Sequence, residues 1–162
     1  MDNLSTSARR VQSALKILGL RLQVVELPES TRTAQEAARA IGCEVGQIAK
    51  SLIFKTRETD RPVLVIASGI NRVDEKVIGR LVGEKISKAD ADFVRAATGF
   101  AIGGVPPVGH STELQTLIDE DLLEFDKIWA AAGTPHAVFC LTGEDLIRAT
   151  RGTVAAIVSS AS

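Results

Sequence analysis

Tyrosine is absent from this chain of 162 residues, tryptophan occurs once, and aromatic residues make up only 4% of it. Proteins that grip single-stranded nucleic acid commonly stack its bases on aromatic rings, so a base-stacking RNA or DNA binder is not expected and the core must be aliphatic. Histidine is equally scarce, with His110 and His136 alone, and neither an HExxH pattern nor paired CxxC motifs occur. A protein-built metal site is therefore not expected, and no residue is assigned to a metal or cofactor. The two cysteines, Cys43 and Cys140, lie far apart among apolar or small neighbours and read as small buried hydrophobes. No apolar run approaches about eighteen residues, and MDNLSTSARR has no apolar leader core, so neither a membrane span nor export is expected. A cytoplasmic location follows by default. Excess charge is missing as well: 19 Lys and Arg stand against 20 Asp and Glu, a net charge of −1. Without a global basic field a general DNA or RNA binder is disfavoured, and any nucleic-acid contact must be local.

What the chain does have is an ordinary globular balance, 45% hydrophobic and 24% charged, at a length that fits one domain spanning residues 1–162 and needs no disulfide or metal. Its most unusual stretch runs from Thr98 to His110, TGFAIGGVPPVGH, with Gly99, Gly103, Gly104 and Gly109 beside the adjacent Pro106 and Pro107. No helix interior or central strand tolerates that composition, so it must be a loop. Glycines let another molecule approach the main chain, and two prolines reduce the entropy lost in holding one shape. Such a loop can be a ligand wall or a tight connection between elements.

Taken in order, Val11, Leu15 and Leu18 give an amphipathic helix over about residues 5–18, closed by Gly19. RLQVVEL reads as a strand, and Thr33 with Glu36 forms a capping box for a helix that Gly42 ends after Ile41. The second half of EVGQIAKSLIFKT and the segment VLVIASG, joined by the polar turn RETDRP, read as a β-hairpin. Asn71 or Asp74 can cap the next helix, which carries Val77, Ile78, Leu81 and Val82 and stops at Gly83; a short strand KIS and a helix over about 90–98 follow. Beyond the loop, LQTLID, KIWAAAG and AVFCL look like strands, the acidic EDLLEFD a turn, 143–149 a helix behind Thr142, and TVAAIV a last strand. The irregular alternation predicts a mixed or mostly antiparallel sheet with helices packed outside.

Alternation within KSLIFK puts Lys50 on one face with Leu52 and Phe54. Either its stem snorkels over the core, or its ammonium stands at the rim of an apolar pocket to meet a phosphate, carboxylate or developing oxyanion. Asp119 and Glu120 are adjacent, so joint acid–base work is not expected, and they read as part of a solvated turn. His110 closes the Gly/Pro loop and can project into any pocket that the loop lines, or remain solvated. The glycines follow a helix instead of opening one, unlike a nucleotide phosphate loop, and no GxSxG elbow is present.

Together the segments QIAKSLIFK, PVLVIASG, RVDEKVIGRLVG, TGFAIGGVPPVGH and LIDEDL resemble, in order and spacing, the YbaK/prolyl-tRNA synthetase-associated editing domain family, from about residue 30 to the end. The resemblance implies an α/β fold of the α+β type: a mixed, largely antiparallel β-sheet closing towards a barrel and surrounded by helices. It implies a free-standing trans-editing enzyme that hydrolyses the ester of mischarged aminoacyl-tRNA, in most members a tRNA for proline bearing a smaller wrong amino acid. The expected partner is the 3′ acceptor end of aminoacyl-tRNA, with prolyl-tRNA synthetase a candidate second partner and no cofactor. Lys50 matches the family's functional lysine, and Gly103 and Pro107 match the ends of its Gly-x-x-x-Pro loop; Lys50 and Gly103 are the expected catalytic positions. Ser51, Thr98, Gly104, Val105, Pro106, Pro107, Gly109, His110 and Asp119 are the expected substrate-binding positions. Ser51 stands where the alanine-editing branch carries asparagine, and Pro106 and His110 stand where many members have serine and another polar residue, so the edited amino acid is open among cysteine, alanine, serine and threonine. A non-catalytic aminoacyl-tRNA or synthetase binding module, or a small-molecule hydrolase or binder reusing the fold, are the alternatives.

Overall fold

The computed structural model describes residues 4–158. Its centre is the expected hairpin of β2 (Ile48–Thr56) and β3 (Pro62–Ser68), paired antiparallel from Ala49 opposite Ser68 to Lys55 opposite Pro62. Every residue of Val63–Ser68 is buried, the pattern of a strand covered on both faces. On one face Ile53, Leu64 and Ile66 join Val11, Leu15, Phe100 and Phe139 in the larger core. On the other, Phe54, Val63 and Val65 meet Ile78 and Ile157.

The helices lie where the caps predict. Helix α1 (Thr6–Ile17) buries Ala8, Val11 and Leu15. Thr33 and Glu36 form the reciprocal capping box of α2 (Ala34–Ile41), and Gly42 ends it in the left-handed region at φ 86°. For α3 (Glu75–Val82) the cap is Asp74, whose side chain accepts from the Lys76 N–H; Asn71 is used elsewhere. Helices α4 (Ala91–Thr98) and α5 (Gly143–Thr150) are capped by Asp90 and Thr142.

Strands β1 (Val24–Glu26), β4 (Ile86–Lys88), β5 (Gln115–Asp119), β6 (Ile128–Ala131), β7 (Ala137–Leu141) and β8 (Thr153–Ala155) complete one sheet. Its order is β1-β7-β6-β2-β3-β5-β8, with β4 also on β2. Pairs β1–β7, β2–β3, β2–β4 and β6–β7 are antiparallel, whereas β2–β6, β3–β5 and β5–β8 are parallel. The mixed α/β sheet is thus as expected, but it stays open: three-residue strands β1 and β8 form its two ends and do not pair with each other. The last strand is also shorter than TVAAIV suggests. The chain turns off after Ala155, and the Ile157 carbonyl accepts instead from the Asp74 N–H at 2.9 Å.

One feature of this topology builds the site. The outer edge of β2 is shared: β6 pairs with Ile48 and Ala49, and β4 with Phe54–Thr56. Between them Lys50, Ser51, Leu52 and Ile53 have no strand partner on that edge, leaving a gap in the sheet. The first turn of α2 and its cap form one bank of that gap, so Thr33→Ala should lower stability by about 1 kcal/mol through loss of the capping box. A chemical denaturation curve with unchanged slope and a lower midpoint checks it.

Candidate active site

Two adjoining cavities, each of about 400 Å³, open onto the gap in β2. Lys50, Ser51 and Leu52 from β2, and Ile102, Gly103 and Val105 from the Gly/Pro loop, line both. The first cavity is otherwise walled by small or apolar side chains, among them Ala34, Ala37, Ile48, Ala130 and Val138, with Trp129 and the basic Arg32. The second adds Phe54, Val94, Arg72, Lys88 and Glu75.

The Gly/Pro loop is held in shape from several sides. Gly99 ends α4 at φ 81°, and Thr98 Oγ1 donates to the Val94 carbonyl (2.7 Å) while accepting from the Phe100 N–H (3.0 Å). The Gly104 carbonyl accepts from the Gly133 N–H at 2.8 Å, tying the loop to the β6–β7 turn. Val105, Pro106, Pro107 and Val108 are all buried. Helix α1 braces both ends: Arg10 Nη1 donates to the Gly99 carbonyl at 3.0 Å, and its guanidinium lies 4.4 Å from the centre of the Phe100 ring.

Gly103 faces the ligand space between Ile102 and Val105, and its backbone is at φ 96°, where side chains are strained. A Cβ there would also stand 3.0 Å from Arg32 Cγ. Gly104 is packed against the Thr134 backbone, 2.8 Å from where a Cβ would sit, which explains the second glycine.

Lys50 lies at the junction of the two cavities and opposite Ala67 in the hairpin register. Burial pushes its pKa below the usual 10.5, and the negative charge of Asp119 works the other way. Asp119 itself is not in a solvated turn. At 1% exposure it ends β5, and its Oδ2 accepts from the Ser68 N–H (2.9 Å) and Asn71 Nδ2 (2.7 Å), while Oδ1 accepts from the Asp121 N–H (3.0 Å). Glu120, in the 3-10 turn that follows, is exposed as expected. The reading as a solvated turn fails for Asp119 because three N–H donors replace its hydration, which allows a carboxylate to be buried.

Of the positions singled out in the sequence, the structure gathers Lys50, Ser51, Gly103 and Val105 around the cavities. Thr98, Gly104, Pro106 and Pro107 shape the loop from behind without lining either cavity. Gly109 and His110 face α1 instead, beside Arg9, Arg10 and Ala14. There His110 Nε2 donates to the Pro106 carbonyl at 2.7 Å, and burial lowers the imidazole pKa, an effect that this carbonyl partly offsets. Asp119 lies behind Lys50 and supports it electrostatically. Sequence reasoning missed Arg32, Ile102, Trp129, Arg72 and Lys88. The solitary tryptophan, and the apolar Ile102 between the glycines of the loop, carried the available signals.

The arrangement is a small apolar recess beside a basic one, with a half-buried lysine between them. Such a site suits a ligand with a small apolar or weakly polar end and an anionic end. Among the described residues no carboxylate lines the first cavity, so Lys50 and Arg32 give it a positive potential.

The sequence profile described as "Aminoacyl-tRNA editing domain" matches residues 28–149, and the chain belongs to that family. The chain is 32% identical over 123 residues to "Uncharacterized protein YwhH" of Bacillus subtilis (strain 168), covering 76% of this chain and 78% of that one. It is 26% identical over 132 residues, 81% of this chain and 80% of the other, to the Enterococcus faecalis protein named "Putative Cys-tRNA(Pro)/Cys-tRNA(Cys) deacylase EbsC". Among solved structures, "a putative trans-editing enzyme for prolyl tRNA synthetase" superposes with a TM-score of 0.92 at 52% identity, over 98% of this chain and 100% of that one. The fold is therefore that of the YbaK-type editing domains, as the motifs implied.

The structural role of Asp119 is open to a direct measurement. Asp119→Ala leaves the buried Ser68 N–H without its acceptor, and Asn71 Nδ2 with Asp121 Oδ2 alone, and should cost about 2–3 kcal/mol of unfolding free energy, read from urea denaturation.

Proposed function

We propose that this chain is a trans-acting aminoacyl-tRNA deacylase, hydrolysing the ester of a mischarged tRNA, in the first instance a tRNA for proline carrying cysteine, alanine, serine or threonine. The observation that carries this reading is the position of Lys50, half-buried at the junction of the two cavities with Gly103 across from it. In this reading the aminoacyl group enters the small-walled first cavity. The terminal adenosine and its phosphates occupy the second, where Arg72 and Lys88 supply positive charge. Family membership and the description of the 52%-identical structure support the same assignment.

The chemistry asked of the protein is modest. A water adds to the ester carbonyl carbon, the carbon–oxygen bond to the ribose breaks, and the ribose oxygen leaves with a proton as a hydroxyl. Charge develops on the carbonyl oxygen, where the Lys50 ammonium can meet it. The constrained backbone around Gly103 holds the ester against β2, so orientation supplies much of the remaining rate. Selection rests on cavity size. An apolar pocket separates substrates that differ by one methylene by only about 1–3 kcal/mol, which is enough when the pocket acts as a second sieve after a synthetase.

A panel of tRNAs charged with cysteine, alanine, serine, threonine and proline tests the proposal. Wild type should release one or two of the small residues and spare prolyl-tRNA, with Lys50→Ala lowering single-turnover rates by about 10²–10³ while circular dichroism stays native. Release from none of them would overturn the assignment and leave a recognition module. Gly103→Val should abolish turnover by filling the cleft and straining a φ of 96°.

The pH dependence has a defined sign. Oxyanion stabilisation needs the protonated lysine, present below the Lys50 pKa and lost as pH rises through it. Since burial holds that pKa below 10.5, the alkaline limb of the rate, corrected for spontaneous hydrolysis, should fall below the ordinary lysine range. The residual activity of Lys50→Ala should lack that limb.

A further inference from the structure

A band of positive charge runs outward from the second cavity across α3. Arg72 and Lys88 stand at the cavity's mouth. Beyond them a shallow depression of about 790 Å³ is lined by Arg57, Lys76, Arg80 and Lys85 with Glu84, and Glu75 borders both hollows, so the surface is continuous. All six basic residues are exposed, and none forms an ion pair among the described residues.

Two carboxylates beside these cations already hold hydrogen-bond partners of their own. Asp74 caps α3. Burial alone would raise the pKa of Glu84, but bonds from Thr59, from Arg61 and from the backbone N–H groups of Glu58 and Thr59 hold it down at about 2. Glu84 therefore stays an anion committed to Arg61 and the hairpin turn, leaving Glu75 as the uncommitted acid in the band. The Arg57 N–H donates to the Lys85 carbonyl at 2.9 Å, which joins the hairpin turn to the segment after α3 and fixes the two basic side chains on one surface.

We propose that the outer part of this band, Lys76, Arg80, Arg57 and Lys85, is the docking surface for the phosphate backbone of the double-stranded acceptor stem whose 3′ end passes Arg72 and Lys88 into the cleft. The inference rests on the deacylase reading and adds the direction from which the RNA arrives. Its chemistry selects a duplex backbone over unpaired bases. The depression contains no aromatic residue, so bases find no stacking platform there, whereas exposed Arg and Lys side chains suit phosphates. Lys76 and Arg80 are four residues apart on α3 and project from one side of it. The helix is about 12 Å long, which spans a few phosphates along one strand. A chain of net charge −1 has no general field to attract RNA, so a local band must supply the electrostatic part of binding.

The test compares two substrates and two double variants. One substrate is full-length tRNA charged with the amino acid that wild type releases; the other is the same amino acid on the trinucleotide CCA. Lys76→Glu with Arg80→Glu should lower kcat/KM on full-length tRNA by about tenfold or more at low salt. It should make the slope of log kcat/KM against log salt shallower by about two. Trinucleotide hydrolysis should be unchanged. The control Lys16→Glu with Arg21→Glu, on the α1 side, should behave as wild type on both. Wild-type kcat/KM and salt slope in the α3 variant on full-length tRNA would overturn the docking surface. If wild type hydrolyses neither substrate, the deacylase reading fails, and binding of uncharged tRNA then decides the band: weakened binding in the α3 variant alone supports it, and equal binding in both variants overturns it.

Discussion

The site exists because β2 cannot satisfy one of its own edges. Its inner edge is fully paired to β3, but on the outer edge β6 leaves after Ala49 and β4 joins only at Phe54. Unpaired backbone N–H and C=O groups in a sheet interior are costly unless water or a ligand meets them, so the gap has to open to solvent. The Gly/Pro loop roofs this gap without closing it. Both cavities, and the place of Lys50 between them, follow from that interrupted ladder.

An interrupted strand would ordinarily be a weak point, and the surrounding packing compensates. The central strand β3 is buried along Val63–Ser68, with β2 on one side and β5 on the other. Asp119 fastens the end of β3 to the 3-10 turn after β5 through the Ser68 N–H and Asn71. The same carboxylate favours the protonated form of Lys50, against the effect of burial. One buried charge thus stiffens the floor of the site and tunes the cation above it, which explains why a carboxylate outside both cavities bears on the chemistry inside them.

Much of the fold could be read from local signals. Capping residues and C-terminal glycines are short-range devices, so Thr33 with Glu36, Asp90, Thr142, Gly42, Gly83 and Gly99 delimit their helices as expected. The alternation that placed Lys50 with Leu52 and Phe54 is likewise a property of one strand. What lay beyond the sequence was the outcome of pairings distant in the chain. The open ends of the sheet depend on β1 and β8 being only three residues long. The burial of Asp119 depends on donors about fifty positions away, and the turning of His110 towards α1 depends on how the N-terminal helix packs. Within TGFAIGGVPPVGH, composition marks a loop but not which residue faces the ligand. Gly103 does so together with Ile102 and Val105, while Gly104, Pro106 and Pro107 form their support.

That support is supplied largely by α1, which lies before the segment 28–149 matched by the family. Arg10 holds the loop's entrance at Gly99 and Phe100. A Cβ on Gly109 would be 3.4 Å from the Ala14 Cβ, and one on Gly133, whose N–H holds the Gly104 carbonyl, would be 2.8 Å from the Ser7 carbonyl oxygen. A backbone that works by position must not relax when the ligand arrives, since any ordering then would be subtracted from binding. The loop's own prolines restrict it only locally, and the two flanking glycines at positive φ would by themselves act as hinges. Clamping both hinges from one helix converts a flexible composition into a fixed wall. The N-terminal helix thus braces the wall of the candidate site, even though it lines neither cavity.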